Sequence, residues 1–460
     1  MTKHLPSLNV DPTFLRGRIH WTEDNKYHTA SQNIKRFVPK EVTIPLVQHL
    51  GGPAEATVQR KTKVTRGDLI GKATAGGTPV HASVTGIVKR VALAPHPTLV
   101  EIPAIVIETD AEATEPAWEE VLNWFDQGKE KMLGQIAEAG IVGLGGATFP
   151  THRKLRIPEG IAIDTLILNG AECEPFLTSD YRLMLESPEE IIWGSLLLAK
   201  ILGTKNILIG IEDNKKDAAA ILQKTIDSLK MQAVPRIVLC KTQYPQGSER
   251  QLIESLTGRV VPPRKLPMHV GIMVQNIATA AACYQAIRYR KPLLDRIITV
   301  SGSGILAPRN LSVPIGTLVQ DIVTYCGGMH PHTAKIIAGG PMMGRTLGRL
   351  DVPVIKGTGG LIFLRREEID SEIYGPCISC GRCLEVCPLG LEPNQISIYT
   401  EAGHALETEE FGTKDCFECG CCSYVCPAKR PLVQFIQIAK HSFQSGSPKG
   451  LAVDAGVNHD

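Results

Sequence analysis

The sequence carries little net charge and no long apolar run. Its 49 Lys and Arg residues nearly balance its 47 Asp and Glu residues, which leaves a formal net charge of +2 at pH 7. A charge this small does not draw a protein onto phosphate backbones, so we expect no nucleic-acid partner. The most apolar helical stretch, residues 191–202, is interrupted by Ser195 and Lys200, and a helix that spans a bilayer needs about 20 apolar residues. We therefore expect no transmembrane segment in this chain.

Aromatic residues are also scarce, at 5% of the chain, whereas 43 Gly and 31 Pro residues predict abundant turns. The N-terminal residues, Met1 to Pro6, show no apolar signal segment, and 460 residues are too many for a small secreted disulfide scaffold. We therefore expect the protein in the cytoplasm or bound to a membrane through partners. A chain of this length predicts about three domains at roughly 150 residues each.

Short strands dominate the beginning of the chain. After an irregular, polar arm at residues 1–40, strand-like segments separated by Gly and Pro lie at residues 42–46, 64–70, 80–88 and 104–108. Short strands at this spacing predict a small barrel or sandwich at residues 41–115. Residues 81–88 are similar to half of a biotinyl/lipoyl-type hairpin, but no lysine stands at its tip. We therefore expect a scaffold and not a carrier domain.

The middle of the chain alternates between apolar strands and amphipathic helices. Strand-like runs lie at residues 165–168, 206–211 and 236–239, and helical patterns lie at 191–202 and 218–229. This alternation predicts a parallel sheet flanked by helices at residues 116–292. Residues 293–366 have strands, a short helix at 318–325 and glycine turns, which suits a small β-grasp module. A cysteine-rich block at 367–441 and a polar tail at 442–460 complete the predicted organisation.

Two cysteine runs give the strongest signal in the sequence. Nine of the 13 cysteines lie between Cys377 and Cys426, and eight of these form two C-x2-C-x2-C-x3-C-P runs that begin 39 residues apart. In such paired runs three thiolates wrap one 4Fe-4S cluster, and the fourth, which precedes the proline, reaches the other cluster. The ligands expected for one cluster are Cys377, Cys380, Cys383 and Cys426, and those for the other are Cys416, Cys419, Cys422 and Cys387. Structural zinc is the alternative, but zinc sites usually show paired C-x2-C knuckles.

The other cysteines are expected to be small buried side chains. Cys421 falls outside the ligand register, and four more are scattered singly, namely Cys173, Cys240, Cys283 and Cys326. Two clusters in one small domain make a short path for electrons. Neither a single-site binding module nor a purely structural protein needs such a path.

A glycine-rich stretch at residues 140–154 is the second strong feature. It fails as a dinucleotide-binding fingerprint, because a helix precedes it and Thr148 stands at the last glycine position. Such a loop still lets backbone N–H groups approach a phosphate or a flat ring closely, and Lys154 can neutralise an anion. A plain tight turn is the alternative interpretation.

An acidic segment follows the predicted strand at residues 165–168. It reads Asn169-Gly170-Ala171-Glu172-Cys173-Glu174-Pro175 and stands at the carboxyl end of that strand, where ligands of open α/β sheets bind. Carboxylates at such a place repel phosphate but suit the hydroxyl or amide donors of a ribose or a nicotinamide. A solvated turn is the alternative interpretation.

Several motifs together form one family pattern. They are Gly143, Gly145 and Gly146 with Phe149, Pro150, Thr151 and Lys154; the segment 169–175; Tyr244 to Glu249; Val274 to Thr279; Gly339 to Gly344; and both cysteine runs. This pattern resembles the RnfC subunit family of Rnf ferredoxin:NAD oxidoreductases, and more distantly the flavin-bearing NADH-oxidising subunit of respiratory complex I. The resemblance covers the chain from Pro45 to about Pro431.

The resemblance implies a subunit that exchanges hydride with NAD(H) at a non-covalent FMN and relays single electrons through two 4Fe-4S clusters. Membrane-bound partner subunits at the cytoplasmic face of the bacterial inner membrane would couple this transfer to ion translocation. The implied fold is multidomain, with a barrel-sandwich β module, a Rossmann-like α/β FMN/NADH domain, a β-grasp (SLBB-like) module and a helical two-cluster ferredoxin domain.

Functional residues carry over from the family only where this sequence matches its motifs. By that resemblance Gly143, Gly145, Gly146 and Lys154 would line the flavin, and Asn169, Asn276 and Thr279 would hold its ring and phosphate. Glu172, Glu174 and Glu249 would face the flavin or the nicotinamide nucleotide, with Glu172 and Glu174 as the catalytic candidates.

One motif departs from the family, and two other functions stay open. The family's N-terminal Gly-Gly-Ile-His-Pro-Pro pattern appears here as Gly17-Arg18-Ile19-His20-Trp21-Thr22, which leaves the role of the arm undetermined. A soluble flavin and iron-sulfur reductase, similar to cobalamin reductases, would share the same domains. A flavin-less iron-sulfur docking adaptor is the non-enzymatic alternative. The closeness of residues 169–182 to the RnfC pattern favours the Rnf-type function.

Overall fold

A computed structural model describes residues 13–14, 16–74, 76–229, 234–370 and 372–445. The first 12 residues of the predicted arm and the predicted tail from residue 446 onward lie outside the described residues. Within these ranges no helix combines the length and the apolar character needed to cross a membrane.

The barrel-sandwich module consists of short antiparallel strands. After β1 (Lys35–Arg36) in the arm come β2 (Glu41–Pro45), β3 (Ala54–Ala56), β4 (Lys63–Val64), β5 (Leu69–Ala73), β6 (Val80–His81), β7 (Gly86–Pro95) and β8 (Glu101–Thr109). One sheet has the order β2-β8-β7-β4 and the other the order β3-β5-β6. Alternating residues such as Val42, Ile44, Ile105 and Ile107 fill the space between the sheets. The prediction of a small all-β module is confirmed.

A parallel α/β domain follows. Its elements are α1 (Lys129–Glu138), α2 (Thr151–Lys154), β9 (Thr165–Asn169), α3 (Ser179–Glu186), α4 (Pro188–Leu202), β10 (Asn206–Glu212), α5 (Lys216–Ser228), β11 (Arg236–Cys240), α6 (Glu249–Thr257), β12 (Ile272–Asn276) and α7 (Ile277–Arg288). The four strands are parallel in the order β11-β10-β9-β12. Because the chain moves outward from β9 to β10 and β11 and then returns to the other side of β9, the strand order reverses between β9 and β12.

The start and end of α4 show why the apolar run at residues 191–202 forms a helix. Pro188 occupies its first turn, where a missing N–H costs nothing, and Gly203 ends it with a left-handed φ of 75°. The buried face, including Ile191, Leu197 and Ile201, packs in the core of the α/β domain.

The β-grasp module places its strands beside this domain. It contains β13 (Asp295–Ser301), β14 (Arg309–Pro314), α8 (Val319–Tyr325), β15 (Thr333–Ala338), β16 (Arg345–Thr346) and β17 (Gly360–Arg365). The sheet order is β1-β14-β13-β17-β15-β16, so that the arm contributes the edge strand β1 in parallel to β14. The predicted short helix at 318–325 is α8.

The cysteine-rich domain is helical and internally repetitive. It contains α9 (Arg382–Glu385), α10 (Pro393–Glu401), α11 (Cys421–Tyr424) and α12 (Leu432–Ser445). Gly381 and Gly420 precede α9 and α11 with φ of 77° and 82°, a left-handed conformation that glycine adopts without strain. The helix α12 continues to Ser445, and its side chains Ile436 and Ala439 pack in the core of this domain.

Candidate functional site

The glycine loop connects α1 to α2 and closes on itself. Val142 and Pro150 form an antiparallel bridge, and the Gly143 N–H donates to the Phe149 carbonyl at 2.9 Å. Gly146 has a φ of 111°, and a Cβ atom placed there would meet no atom within 4 Å. The loop therefore presents an open backbone edge at Gly146, which a phosphate or a ring can approach.

The loop rests on the N-terminus of α7. The Leu144 N–H donates to the Thr279 hydroxyl at 2.9 Å, and the Leu144 carbonyl accepts from Arg296 at 3.2 Å. A Cβ atom at Gly145 would lie 3.3 Å from the Cβ atom of Asn276, so this position has room only for a small residue. Thr279 is fully buried. It is thus placed to hold the glycine loop, and the contact with the flavin that the family resemblance implies for Thr279 stays a prediction.

Asn169 and Asn276 stand side by side at the carboxyl ends of β9 and β12. The Asn276 carboxamide oxygen caps α7 by accepting from the N–H groups of Ala278 at 2.8 Å and Thr279 at 3.3 Å. Asn169 donates to the Gly247 carbonyl at 2.7 Å. This pair marks the place where the strand order reverses, which is where open α/β sheets bind ligands.

The two acidic residues predicted to be catalytic point at backbone N–H groups. The Glu172 carboxylate accepts from the N–H groups of Asp180 at 2.7 Å and Tyr181 at 3.1 Å, at the start of α3. The Glu174 carboxylate crosses to the β-grasp module and accepts from Met342 at 3.0 Å and Met343 at 2.9 Å. Burial raises the pKa of Glu174 to about 7. A direct role of either carboxylate at a nucleotide stays a prediction.

The structure brings Lys154 and Glu249 together. The Lys154 ammonium lies 2.7 Å from the Glu249 carboxylate, and the two side chains are 32% and 38% exposed. Lys154 is the last residue of α2, which follows the glycine loop, and Glu249 is the first residue of α6, which follows residues 244–248. An ion pair this exposed contributes about 0 to 1 kcal/mol to stability, so its cation remains available to an anionic ligand.

Asp180 is a site residue that sequence reasoning missed. Its carboxylate accepts from the Asn276 carboxamide at 2.6 Å, and burial, together with the nearby Glu172, raises its pKa to about 7. It lies inside the segment 169–182 that matched the family pattern, but the sequence assigned it no role. Only the fold shows that this carboxylate meets Asn276 from a distant strand.

The first predicted set of cluster ligands surrounds one recess. Cys377, Cys380, Cys383 and Cys426 line it together, although Cys426 comes from the other run. Cys380 is exposed. The residues present therefore fit a 4Fe-4S cluster close to the protein surface.

The second set lies deeper. Burial raises the pKa of Cys422, and the nearby sulfurs of Cys419, Cys416 and Cys387 raise it further, so these four thiols lie near one another. Cys387, Cys419 and Cys422 are buried. The Cys421 side chain is fully buried, as the sequence predicted, and it donates a hydrogen bond that lowers the pKa of Cys419.

This deeper set adjoins the α/β domain. The Tyr244 hydroxyl donates to the Cys419 carbonyl at 2.6 Å, and the Gln251 carboxamide donates to the Pro388 carbonyl at 3.3 Å. A Cβ atom at Gly420 would lie only 2.8 Å from the Met342 carbonyl, in the same turn whose N–H groups hold Glu174. The buried cysteine set is therefore in contact with the segments that form the candidate nucleotide site.

Family models match four consecutive parts of the chain. Residues 13–112 match the RnfC barrel sandwich hybrid domain and residues 136–285 the Nuo51 FMN-binding domain. Residues 297–346 match the SLBB domain and residues 376–429 the 4Fe-4S dicluster domain. These matches confirm the predicted order of modules, and they support the predicted FMN and pair of 4Fe-4S clusters.

Curated relatives match most of the chain. A subunit of the proton-translocating ferredoxin:NAD⁺ oxidoreductase complex of Clostridium ljungdahlii is 42% identical over 92% of this chain and 93% of its own length. A subunit of the ion-translocating oxidoreductase complex of Rhodobacter capsulatus is 42% identical over 93% of this chain and 82% of its own. A subunit of the Na⁺-translocating ferredoxin:NAD⁺ oxidoreductase complex of Acetobacterium woodii is 39% identical over 90% and 93%. Identity of this order over most of the chain shows that the protein belongs to the RnfC family, whose members are subunits of ion-translocating ferredoxin:NAD⁺ oxidoreductase complexes.

Proposed function

We propose that this chain exchanges a hydride with NAD(H) at FMN and passes the electrons singly through two 4Fe-4S clusters to partner subunits. A flavin takes two electrons as a hydride and releases them one at a time, whereas each cluster accepts only one. The observation that carries the proposal is the contact between the candidate nucleotide site and the buried cysteine set, through Tyr244 and the Met342 turn.

The flavin would lie against the open edge of the glycine loop. The backbone at Gly146 is accessible, and Lys154 supplies a positive charge for an anionic or electron-rich group. Thr279 and Arg296 hold Leu144 and thereby keep the loop in one conformation. A loop that is already held in one conformation loses less conformational entropy when a ligand binds to its N–H groups.

The acidic residues would act on the nicotinamide nucleotide. Glu172 fixes the start of α3, and Asp180, in that first turn, contacts Asn276. Glu174 follows Asn169 in the same segment, and Glu249 follows Gly247, whose carbonyl accepts from Asn169. We propose that these carboxylates accept hydrogen bonds from ribose hydroxyls or the nicotinamide amide and disfavour a phosphate at the same place.

The geometry also supports an order for the electron path. The set containing Cys419 is buried against the α/β domain, so it would receive electrons first. The set containing Cys380 is exposed and would deliver them to a partner. Since the last ligand of each set comes from the other run, the two clusters would lie next to each other within one small domain.

We propose that the protein sits at the cytoplasmic face of a bacterial inner membrane, held there by partner subunits. Its curated relatives are named as subunits of ion-translocating complexes, and none of the helices that the structure describes could cross the bilayer. Ion movement would then belong to the partners.

The test is anaerobic purification followed by spectroscopy and an NADH oxidation assay with an artificial acceptor. We expect FMN and iron-sulfur absorbance and NADH-dependent turnover. Iron without flavin and without turnover would instead support the docking adaptor. Because either enzyme would turn over with an artificial acceptor, recovery of the native chain away from membranes and without partner subunits would favour the soluble reductase.

A substitution tests the assigned residues. Glu174→Gln is expected to impair NADH use and to leave cluster absorbance intact, whereas the exposed Glu159→Gln serves as a control of equal charge change. Equal loss of both properties in Glu174→Gln would contradict the role proposed for Glu174.

A further inference from the structure

The N-terminal arm inserts an ammonium group beneath the acidic segment of the candidate nucleotide site. Lys26 lies in a short 3₁₀ turn and is buried. Its ammonium donates to the backbone carbonyls of Glu172 at 2.9 Å, Glu174 at 2.8 Å and Leu177 at 2.6 Å. An ammonium has three N–H donors, and all three are used on this one segment.

A second buried ammonium completes the arrangement. Lys215 donates to the Ala171 carbonyl at 2.7 Å and to the Glu212 carboxylate at 3.0 Å. Two cations thus bind four carbonyls within residues 171–177. The carbonyls bind the ammonium groups, and the Glu172 and Glu174 carboxylates accept from the N–H donors described above.

The segment needs this support because its backbone is strained. Glu172 and Phe176 have φ of 49° and 68°, a left-handed conformation that is unfavourable for residues with a Cβ atom. Residues in such conformations persist only when the surrounding structure holds them. Carbonyls bound by a buried cation provide that restraint, because a charged hydrogen bond is stronger in a site that excludes water.

Other contacts fix the arm on both sides of Lys26. The Phe176 N–H donates to the Asp24 carbonyl at 2.8 Å, and the hydroxyls of Thr29 and Thr178 are 2.7 Å apart. Asn310 donates to the Thr29 carbonyl at 2.8 Å. These contacts do not involve the ammonium, so we expect the arm to keep its place in a variant that lacks only that group.

We infer that Lys26 is a positioning residue for nicotinamide nucleotide binding, acting by holding residues 172–177 so that Glu172 and Glu174 keep their orientation. This inference rests on the proposed function, because it assigns the purpose of the same acidic segment. It gives the arm a role that its departure from the family pattern had left open. Lys26 does not touch the reacting atoms and acts only through the segment.

The experiment compares Lys26→Met with Lys35→Met, an exposed lysine of the same arm. Both variants are purified as holoprotein, and FMN content, iron content, KM for NADH and kcat with an artificial acceptor are measured. We expect Lys26→Met to raise KM about 10- to 100-fold, the affinity lost with one charge-assisted hydrogen bond to the nucleotide, while kcat, FMN and iron stay near wild type. Lys35→Met is expected to match wild type throughout.

Several results would overturn the inference. They are an unchanged KM in a Lys26→Met holoprotein, or an equal change in Lys35→Met. If Lys26→Met yields no holoprotein, Lys26→Arg is the second variant, since it keeps the charge but not the compact geometry. A folded Lys26→Arg protein with a wild-type KM for NADH would refute the positioning role, and a raised KM would support it. A wild-type holoprotein that holds FMN but does not oxidise NADH would refute the proposed function itself.

Discussion

Replacing Lys154 by Met is predicted to weaken FMN binding without weakening the fold. In the structure Lys154 has a carboxylate partner, Glu249, at 2.7 Å, and both side chains are about one-third exposed. An exposed pair of this kind contributes about 0 to 1 kcal/mol to stability. A charged hydrogen bond to a bound ligand is worth about 1.5 to 3 kcal/mol, and about 1.4 kcal/mol changes an affinity tenfold. We therefore expect the Kd for FMN to rise about 10- to 100-fold.

The assay is titration of FMN into flavin-depleted protein, followed by the quenching of flavin fluorescence. Arg156→Met is the matched control, because it removes the same charge two residues after α2 and Arg156 is paired with Glu130 at 3.1 Å on the surface. Thermal unfolding of the flavin-depleted proteins should be the same for wild type and both variants. An unchanged Kd in Lys154→Met, or an equal loss of affinity in Arg156→Met, would refute the assignment of Lys154 to the flavin.

Three further predictions concern pH, potential and domain contact. Burial raises the pKa of Glu174 from 4.5 to about 7. The stability that its protonated form contributes is therefore complete below about pH 4.5 and is lost as the pH rises through about 7. Between pH 5 and pH 8 the free energy of unfolding of Glu174→Gln should rise by up to about 3 kcal/mol relative to that of wild type, and a constant difference in thermal unfolding would contradict this. Cys421→Ala removes the hydrogen bond to Cys419. For a bond worth about 1 kcal/mol, the reduction potential of one cluster should fall by about 40 mV, with no loss of iron. A redox titration followed by electron paramagnetic resonance measures this potential, and loss of iron would place Cys421 among the ligands. Arg66 is almost fully buried against Asp295. Arg66→Met should therefore destabilise the contact between the barrel-sandwich and β-grasp modules by about 3 to 5 kcal/mol. Proteolysis between the two modules should become faster, and an unchanged cleavage rate would refute this prediction.

The sequence predicts the cluster ligands because their chemistry is local. Each run places its first three thiols within seven residues, and the proline after the fourth turns the chain away. The structure indeed gathers Cys426 with the first run around one recess. The parallel sheet could likewise be predicted, since alternating apolar strands and amphipathic helices have few other ways to bury their apolar faces.

The directions of the polar side chains at the nucleotide site could not be predicted in the same way. The sequence predicts Thr279 and Glu172 at the ligand, but it does not show that Thr279 also bonds to the glycine loop or that Glu172 also accepts from the first turn of α3. It also gave no role to Lys26, whose ammonium binds carbonyls that lie 146 to 151 positions away along the chain.

The amino-acid sequence by itself determined the module order and the family, and it predicts the eight cluster cysteines, because all of these depend on periodicity and on spacing within short segments. The tertiary structure alone decided which cysteine set lies against the α/β domain, how Lys154 meets Glu249, and how the arm holds the acidic segment. Those contacts join residues far apart in the chain, and their geometry follows from how the modules pack and from which buried polar groups must find partners.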